Sequence, residues 1–114
     1  MSSDLVIVHY NGQWRDEVTY EGYEVCGIFH KETERLKDLR EVVEKMMEKE
    51  STYTCLKLQY QTKEGYKPIT ISNEMSLQFY KALKRKDPDY SRYPICASLE
   101  PKQTLVLRLT DLLR

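Results

Sequence analysis

The most regular hydrophobic pattern in the chain is a stripe that recurs every three or four residues across 31–50, "KETERLKDLREVVEKMMEKE". Apolar residues at this spacing cover one face of an α-helix, and the Lys, Arg, Asp and Glu between them cover the other. The segment therefore predicts an amphipathic helix whose charged face is solvated. Its buried stripe is predicted to contain Leu36, Leu39, Val43 and Met46, widened by Val42 and Met47.

A second helical pattern covers residues 74–86, "EMSLQFYKALKRK". Ser72 or Asn73 stands just before it, and either side chain can cap the first turn by accepting a backbone N–H. The predicted buried stripe consists of Leu77, Tyr80 and Leu83, with Phe79 one turn before Leu83.

The opening of the chain predicts a β-hairpin. Residues 4–10, "DLVIVHY", form a run rich in β-branched residues that ends at Asn11-Gly12, a dipeptide typical of hairpin turns. The following "QWRDEVTYEG" is predicted to return as the partner strand. Residues 23–30, "YEVCGIFH", then either extend this returning strand or form a further short strand.

Three later segments also have strand patterns. Residues 51–61 alternate, with Leu56, Leu58 and Tyr60 on one face, and "YKPITIS" returns as the second arm of a hairpin. Pro68 lacks a backbone N–H, so this arm is predicted to be an edge strand or to begin after Pro68. "YPICASLE", residues 93–100, is the last predicted strand.

This order of elements predicts an α+β fold of the ubiquitin-like β-grasp type. It would have a mixed sheet of four to five strands packed on one long helix, with a second short helix. The first and last strands are expected to lie side by side and parallel in the centre of the sheet. Residues 1–100 would form this single domain.

Residues 101–114, "PKQTLVLRLTDLLR", form an apolar C-terminal tail. It can be a strand with Leu105, Leu107 and Leu109 on one face, or a helix with Leu105, Leu109, Leu112 and Leu113 together. We expect its leucines to be buried against the sheet or against a second copy, which would give a homodimer. Cutting the chain after Glu100 and measuring its mass in solution would test this expectation.

The composition limits the classes of function. The 114 residues contain 18 basic and 18 acidic side chains, so the chain has no basic excess of the kind that drives binding to nucleic acid. A local basic segment does occur at 81–92, and an accessory nucleic-acid-binding domain is the alternative function. This segment contains Lys81, Lys84, Arg85, Lys86 and Arg92.

No pattern in the sequence predicts catalysis, a metal site or a cofactor. His9 and His30 lack neighbours at ligand spacing, and the four glycines are isolated. Cys26, Cys55 and Cys96 are interpreted as buried thiols. The sequence has no signal-peptide pattern and no long apolar run, so we expect a soluble intracellular protein that does not enter membranes.

Several segments resemble the N-terminal domain of plant Mutator-like transposases. "VIVHYNGQW" is similar to the opening of that domain, and "YEVCGIFHKETERLKDLREVVEKMM" is similar to the strand and helix that follow. "TCLKLQYQT", "KPITISNEMSLQFYKAL" and "YPICASLE" resemble its later hairpin, second helix and last strand. The resemblance covers residues 4–100. It implies a Phox/Bem-like β-grasp interaction domain in a transposase-derived nuclear protein.

Phox/Bem domains pair when an acidic cluster on one copy meets a first-strand Lys on another. Here the corresponding segment 70–76 offers Glu74 alone, and the first strand offers His9 in place of Lys. The resemblance therefore implies a non-enzymatic interaction domain that binds a protein partner or itself, without implying that charge pairing. The candidate partner-binding residues are His9, Trp14, Glu74, Lys84, Arg85, Leu105, Leu107 and Leu109.

Overall fold

The computed structural model describes residues 3–48, 54–89 and 91–101. These described residues form seven strands and two helices. In chain order they are β1 (Ser3–Tyr10), β2 (Gln13–Trp14), β3 (Tyr20–Glu21), β4 (Glu24–Lys31), α1 (Leu36–Met46), β5 (Thr54–Tyr60), β6 (Ile69–Thr70), α2 (Glu74–Lys86) and β7 (Ile95–Pro101).

Five of the strands form one mixed sheet in the order β4-β1-β7-β5-β6, and β2 and β3 form a separate two-stranded sheet. β1 and β7 are parallel neighbours, whereas β4 and β5 are antiparallel to β1 and β7 respectively. The first and last strands thus occupy the positions that the sequence predicts. The ubiquitin-like α+β fold is confirmed.

Both helices pack on the same face of the sheet and share one hydrophobic core with it. Leu36, Leu39 and Val43 of α1 are buried as predicted, whereas Val42 is 41% exposed and does not widen the stripe. From the sheet, from α2 and from the connection between β6 and α2, the same core contains Val6, Val8, Leu56, Leu58, Tyr60, Ile71, Leu77, Tyr80, Ile95 and Ala97.

The predicted partner of the first strand is wrong. β1 pairs with β4 along its whole length, from Ser3↔Lys31 to Tyr10↔Glu24. Asn11 does turn the chain, with a φ of 59°, but the returning segment leaves the sheet as the small hairpin β2–β3. The segment 24–31 is therefore the separate strand that the sequence left as one of two alternatives.

The helix at 31–50 begins later than its pattern predicts. Lys31 still belongs to β4, and α1 begins at Leu36 after an extended Arg35. The Asp38 carboxylate accepts the Arg35 N–H at 2.8 Å and fixes this start. The described lengths of α1 and α2 are 11 and 13 residues, so the expected long and short helices are nearly equal.

The second helix has the predicted bounds, and Asn73 caps it by accepting the Ser76 N–H at 2.8 Å. Its buried face differs from the prediction at two positions: Lys81 is buried beside Leu77 and Tyr80, whereas Phe79 is 57% exposed.

β6 is the edge strand expected after Pro68. The prediction of three buried thiols is correct only for Cys96, because Cys55 is exposed and Cys26 is partly exposed. Both lie on strands near an edge of the sheet, where little covers them. Of the tail, Pro101 ends β7 and residues 102–114 lie outside the described residues.

Candidate interaction surface

We call the face of the five-stranded sheet opposite the helices the outer face. The hairpin β2–β3 covers one part of it. Trp14 and Tyr20 of the hairpin form a column of four rings with Tyr23 and with His9 of β1. Neighbouring ring centroids are 3.9 Å apart for His9 and Tyr23, 5.6 Å for Tyr23 and Tyr20, and 5.2 Å for Tyr20 and Trp14. Such ring pairs favour offset or tilted contacts, so the column fixes the hairpin against the strands.

Tyr20 anchors this covered part. Its hydroxyl accepts the Gly12 N–H at 2.9 Å and donates to the Ala97 carbonyl at 2.8 Å. Burial raises the pKa of the Tyr20 hydroxyl, which keeps it protonated and able to donate. Beneath the hairpin, burial also raises the pKa of the Cys96 thiol to about 11, which makes that thiol unreactive at neutral pH.

A second part of the outer face, on β1 and β4, is apolar and is not covered by any described residue. It consists of Leu5 and Ile7 on β1 and of Val25, Gly27 and Phe29 on β4, which we call the β1–β4 patch. Leu5 pairs with Phe29 and Ile7 with Gly27 in the sheet register. Phe29 is 73% exposed, Val25 59% and Leu5 45%. Contiguous exposed apolar residues of this kind are typical of protein-binding surfaces.

The β1–β4 patch lies at a free edge of the sheet. β4 is the terminal strand, and no other strand of the described residues pairs with its outer side. An edge strand presents alternate backbone N–H and C=O groups to solvent, and proteins usually protect such strands with Pro, charges or bulges. Between Glu24 and Lys31, β4 contains neither Pro nor an Asp, Glu, Lys or Arg side chain.

A second, smaller apolar pair is exposed on α2. Met75 is 81% exposed and Phe79 57%, and they are one helical turn apart. This pair has no free backbone edge beside it, because the backbone groups inside a helix are already bonded.

Two of the predicted partner-binding residues belong to the ring column. His9 stacks on Tyr23 with an interplanar angle of 7°, and Trp14 is tilted by 53° against Tyr20. Burial lowers the pKa of His9 below its usual 6.5. The neutral ring of His9 therefore serves as a packing surface at neutral pH.

Glu74 has a structural partner. Its Oε1 accepts the backbone N–H of Leu36 at 2.7 Å, so the first residue of α2 caps the start of α1. A carboxylate at a helix N-terminus is stabilised by the unpaired N–H groups there. This contact brings the two helices together and engages the one carboxylate of segment 70–76.

The two predicted partner-binding residues of α2, Lys84 and Arg85, also have partners within the chain. The Arg85 guanidinium contacts both carboxylate oxygens of Asp4 at 3.2 Å. Lys84 Nζ donates to the Arg92 carbonyl at 3.0 Å, and Arg92 contacts Asp87 at 3.3 Å. These contacts reduce the positive charge that the segment can offer to phosphates.

Buried polar side chains occur near the end of β4, at His30, and in the middle of α2, at Lys81. His30 is 2% exposed and Lys81 3% exposed. His30 Nε2 lies 3.2 Å from the Arg35 carbonyl, while His30 Nδ1 and Lys81 Nζ have no hydrogen-bond partner among the described residues. Burial lowers the pKa of Lys81. Within the described ranges, no group of three His, Cys, Asp or Glu side chains is placed to hold a metal ion.

The structure thus brings His9 and Trp14 together in the ring column, and places Glu74, Lys84 and Arg85 in separate contacts around the helices. Leu105, Leu107 and Leu109 lie outside the described residues. Sequence reasoning missed the β1–β4 patch as a site. The sequence feature that points to the patch is the alternation of Val25, Gly27 and Phe29. This alternation places the three residues on one face of a strand, but it does not indicate whether that face is buried in the core or exposed to solvent.

Comparisons with known proteins gave no match: no protein-family profile, no curated protein and no solved structure is detectably similar to the chain. In the part of the chain that the structure describes, neither helix has the length and apolar character needed to cross a bilayer.

Proposed function

We propose that the chain is a non-enzymatic protein-interaction domain that binds its partner through the β1–β4 patch. The observation that carries this proposal is the combination of Phe29 and Val25, both more than half exposed, with the free edge of β4. Backbone pairing at an edge provides affinity, and the side chains of alternate residues provide specificity. The patch supplies both on one surface.

Within the β1–β4 patch, Phe29 is the side chain with the largest exposed fraction and therefore has the most apolar surface left to bury. Full burial of a Phe side chain is worth about 1.5–3 kcal/mol, and aromatic anchors dominate many interfaces. In the described structure this side chain is left largely in water. A partner that covers it gains that energy together with the hydrogen bonds of the edge.

The proposal is tested by capture experiments on the full chain. Protein partners retained from nuclear extract by the wild type are expected to be lost with Phe29→Lys and kept with Phe79→Lys. The chain has two phenylalanines, and Phe79 is also exposed but lies on α2. The two variants therefore make the same chemical change on different surfaces. Equal retention of the same partners by Phe29→Lys and the wild type would contradict the proposal.

The resemblance to Mutator-like transposases supports a further part of the proposal, that the domain belongs to a transposase-derived nuclear protein. A fluorescent fusion of the full chain in plant cells is expected to accumulate in the nucleus. A fusion that stays in the cytoplasm would contradict this location.

Nucleic-acid binding has less support, because Lys84, Arg85 and Arg92 are engaged within the chain. We expect no DNA binding at low salt. Binding that weakens steeply with added salt would instead favour the basic segment of α2 as the functional surface.

A further inference from the structure

We infer that the β1–β4 patch binds a second copy of the same chain, with the two β4 strands pairing antiparallel about a two-fold axis at Gly27. This inference rests on the proposed function and specifies its partner. The pairing would join two five-stranded sheets into one continuous sheet, with both patches on the same face.

The free edge of β4 favours a strand as the occupant. β4 has eight residues, whereas β6, at the other edge, has two. A partner strand beside β4 would satisfy the backbone groups that now face solvent along its length. An identical strand does this symmetrically, because each copy offers the same donors and acceptors.

The side chains select the register. With Gly27 facing Gly27 across the axis, Val25 of each copy lies opposite Phe29 of the other, which gives two apolar pairs on the outer face. Moving the axis to Ile28 would place Val25 opposite Lys31. Moving it to Cys26 would place Phe29 opposite Tyr23, whose ring is already stacked on His9. The axis at Gly27 buries the two most exposed side chains of the β1–β4 patch, Val25 and Phe29, against each other.

The charges favour an antiparallel second copy. β4 has Glu24 at its first residue and Lys31 at its last, and their side chains project from opposite faces of the strand. Antiparallel pairing about Gly27 places Glu24 opposite His30, and Lys31 opposite Tyr23, of the other copy, so like charges are not opposed. Parallel pairing would place like charges together, which is unfavourable. The formal net charge of zero also removes overall repulsion between copies.

The position on the axis can also carry a side chain. A Cβ added at Gly27 would have the Ile7 Cδ1 atom at 3.8 Å as its neighbour, an ordinary van der Waals contact. Directly opposed residues of an antiparallel pair have Cα atoms about 4.5–5.5 Å apart, within the range of a disulfide. Gly27→Cys is therefore expected to fold and to report the proposed axis.

The first experiment is oxidative cross-linking of the full chain. The background variant carries Cys26→Ser and Cys55→Ser, which remove the two more accessible thiols and leave the buried Cys96. In this background, Gly27→Cys is expected to form a covalent dimer under mild oxidation. Phe79→Cys, an exposed position on α2, is the matched control and is expected to stay mainly monomeric on a non-reducing gel.

The second experiment measures solution mass against concentration by sedimentation equilibrium. The wild type and Phe79→Lys are expected to reach twice the monomer mass, and Phe29→Lys is expected to raise the dissociation constant at least about tenfold. A dimer that Phe79→Lys dissociates and Phe29→Lys does not would place the interface on α2 and overturn the inference. A mass that stays monomeric at all concentrations would also overturn it.

Failure of this inference is distinguishable from failure of the proposed function. A monomeric chain that still loses its captured partners with Phe29→Lys would overturn only the identity of the partner. A chain that dimerises and cross-links through Gly27→Cys, but captures no other protein, would retain the inference and make self-association the function.

The third experiment tests the antiparallel direction with a second cysteine position. Val25→Cys, in the same Cys26→Ser and Cys55→Ser background, is expected to form little covalent dimer, because antiparallel pairing about Gly27 separates the two copies of residue 25 by four residues, roughly 14 Å along the strands. Parallel pairing in register would instead place residue 25 opposite its own copy. A Val25→Cys variant that cross-links as readily as Gly27→Cys would contradict the antiparallel direction.

Discussion

At the scale of single residues, Tyr20 holds the outer face together. One hydroxyl joins the turn after β1, the hairpin and the central strand β7, through Gly12 and Ala97. Its ring also stands between Trp14 and Tyr23. Nothing near Tyr20 in the sequence indicates these partners, because Ala97 is 77 residues away. A pattern along the chain can predict that Tyr20 is partly buried but cannot predict which carbonyl its hydroxyl meets.

Replacing Tyr20 with Phe is expected to lower the free energy of unfolding by about 1–2 kcal/mol, because the Gly12 N–H and the Ala97 carbonyl lose their shared partner. Urea denaturation measures the change. Tyr66→Phe removes a hydroxyl from a ring that is 56% exposed and is expected to change stability by less than about 0.5 kcal/mol. Equal effects of the two variants would show that the Tyr20 hydrogen bonds make no net contribution to the free energy of unfolding.

His9 is expected to make stability depend on pH. Burial lowers its pKa in the folded protein below the usual 6.5, so the unfolded chain binds the proton more readily in that range. The free energy of unfolding therefore rises with pH between the two pKa values, and the contribution of His9 is lost as the pH falls below about 6.5. An NMR titration is expected to place the pKa of His9 below that of a free histidine.

The matched variant is His9→Phe, which keeps a ring against Tyr23 and removes the titrating group. Its free energy of unfolding is expected to fall less between about pH 7 and 5 than that of the wild type. Because His30 and the carboxylates are common to both proteins, the difference isolates His9. Parallel pH profiles would refute this assignment.

At the scale of elements, the sequence predicts local structure well and pairing less well. The alternation of Leu56, Leu58 and Tyr60 gives the buried face of β5, and Asn73 marks the start of α2. The Asn11-Gly12 signal gives a real turn but not the partner of β1, since a turn reverses the chain without choosing which later segment pairs. That choice depends on the distant contacts of Tyr20 and on the greater length of β4.

The hairpin β2–β3 packs closely against the Asn11-Gly12 turn, and we therefore expect any side chain at Gly12 to destabilise the fold. A Cβ there would lie 2.7 Å from the Glu21 carbonyl oxygen and 2.9 Å from Tyr20 Cζ. Gly12→Ala is therefore expected to lower the free energy of unfolding by about 1–3 kcal/mol, because the hairpin must move away from the turn.

Gly27→Ala is the control for Gly12→Ala. Its Cβ meets Ile7 Cδ1 at 3.8 Å, so it is expected to leave stability unchanged or raise it by up to about 1 kcal/mol. Urea denaturation compares both variants. A Gly12→Ala variant as stable as Gly27→Ala would contradict the close approach of β2–β3 to the turn.

At the scale of the whole molecule, the first and last described strands are neighbours in the middle of the sheet. β1 and β7 are neighbours, and β7 also pairs with β5 over six residue pairs. The central positions of β1 and β7 were predictable, because apolar first and last strands suit such positions. The exposure of the β1–β4 patch was not predictable, because it depends on how far a hairpin of two-residue strands extends across the sheet.

Hydrogen exchange is expected to follow this arrangement. Amides of the central β1, β7 and β5 are expected to exchange only through global unfolding, whereas those of β2 and β3 exchange through a local opening of lower free energy. Exchange measured by mass spectrometry or NMR as a function of denaturant separates the two routes. Hairpin amides as strongly protected as those of β7 would contradict this order of stability.

The parallel arrangement of β1 and β7 has a mechanical consequence. Because the strands are adjacent and point the same way, the first residue of β1 and the last residue of β7 lie at opposite ends of the pair. Force that pulls these two residues apart would slide one strand along the other and load their hydrogen bonds together in shear. We expect tension between these two residues to meet more resistance than tension that peels β4 from the edge, where hydrogen bonds break one after another.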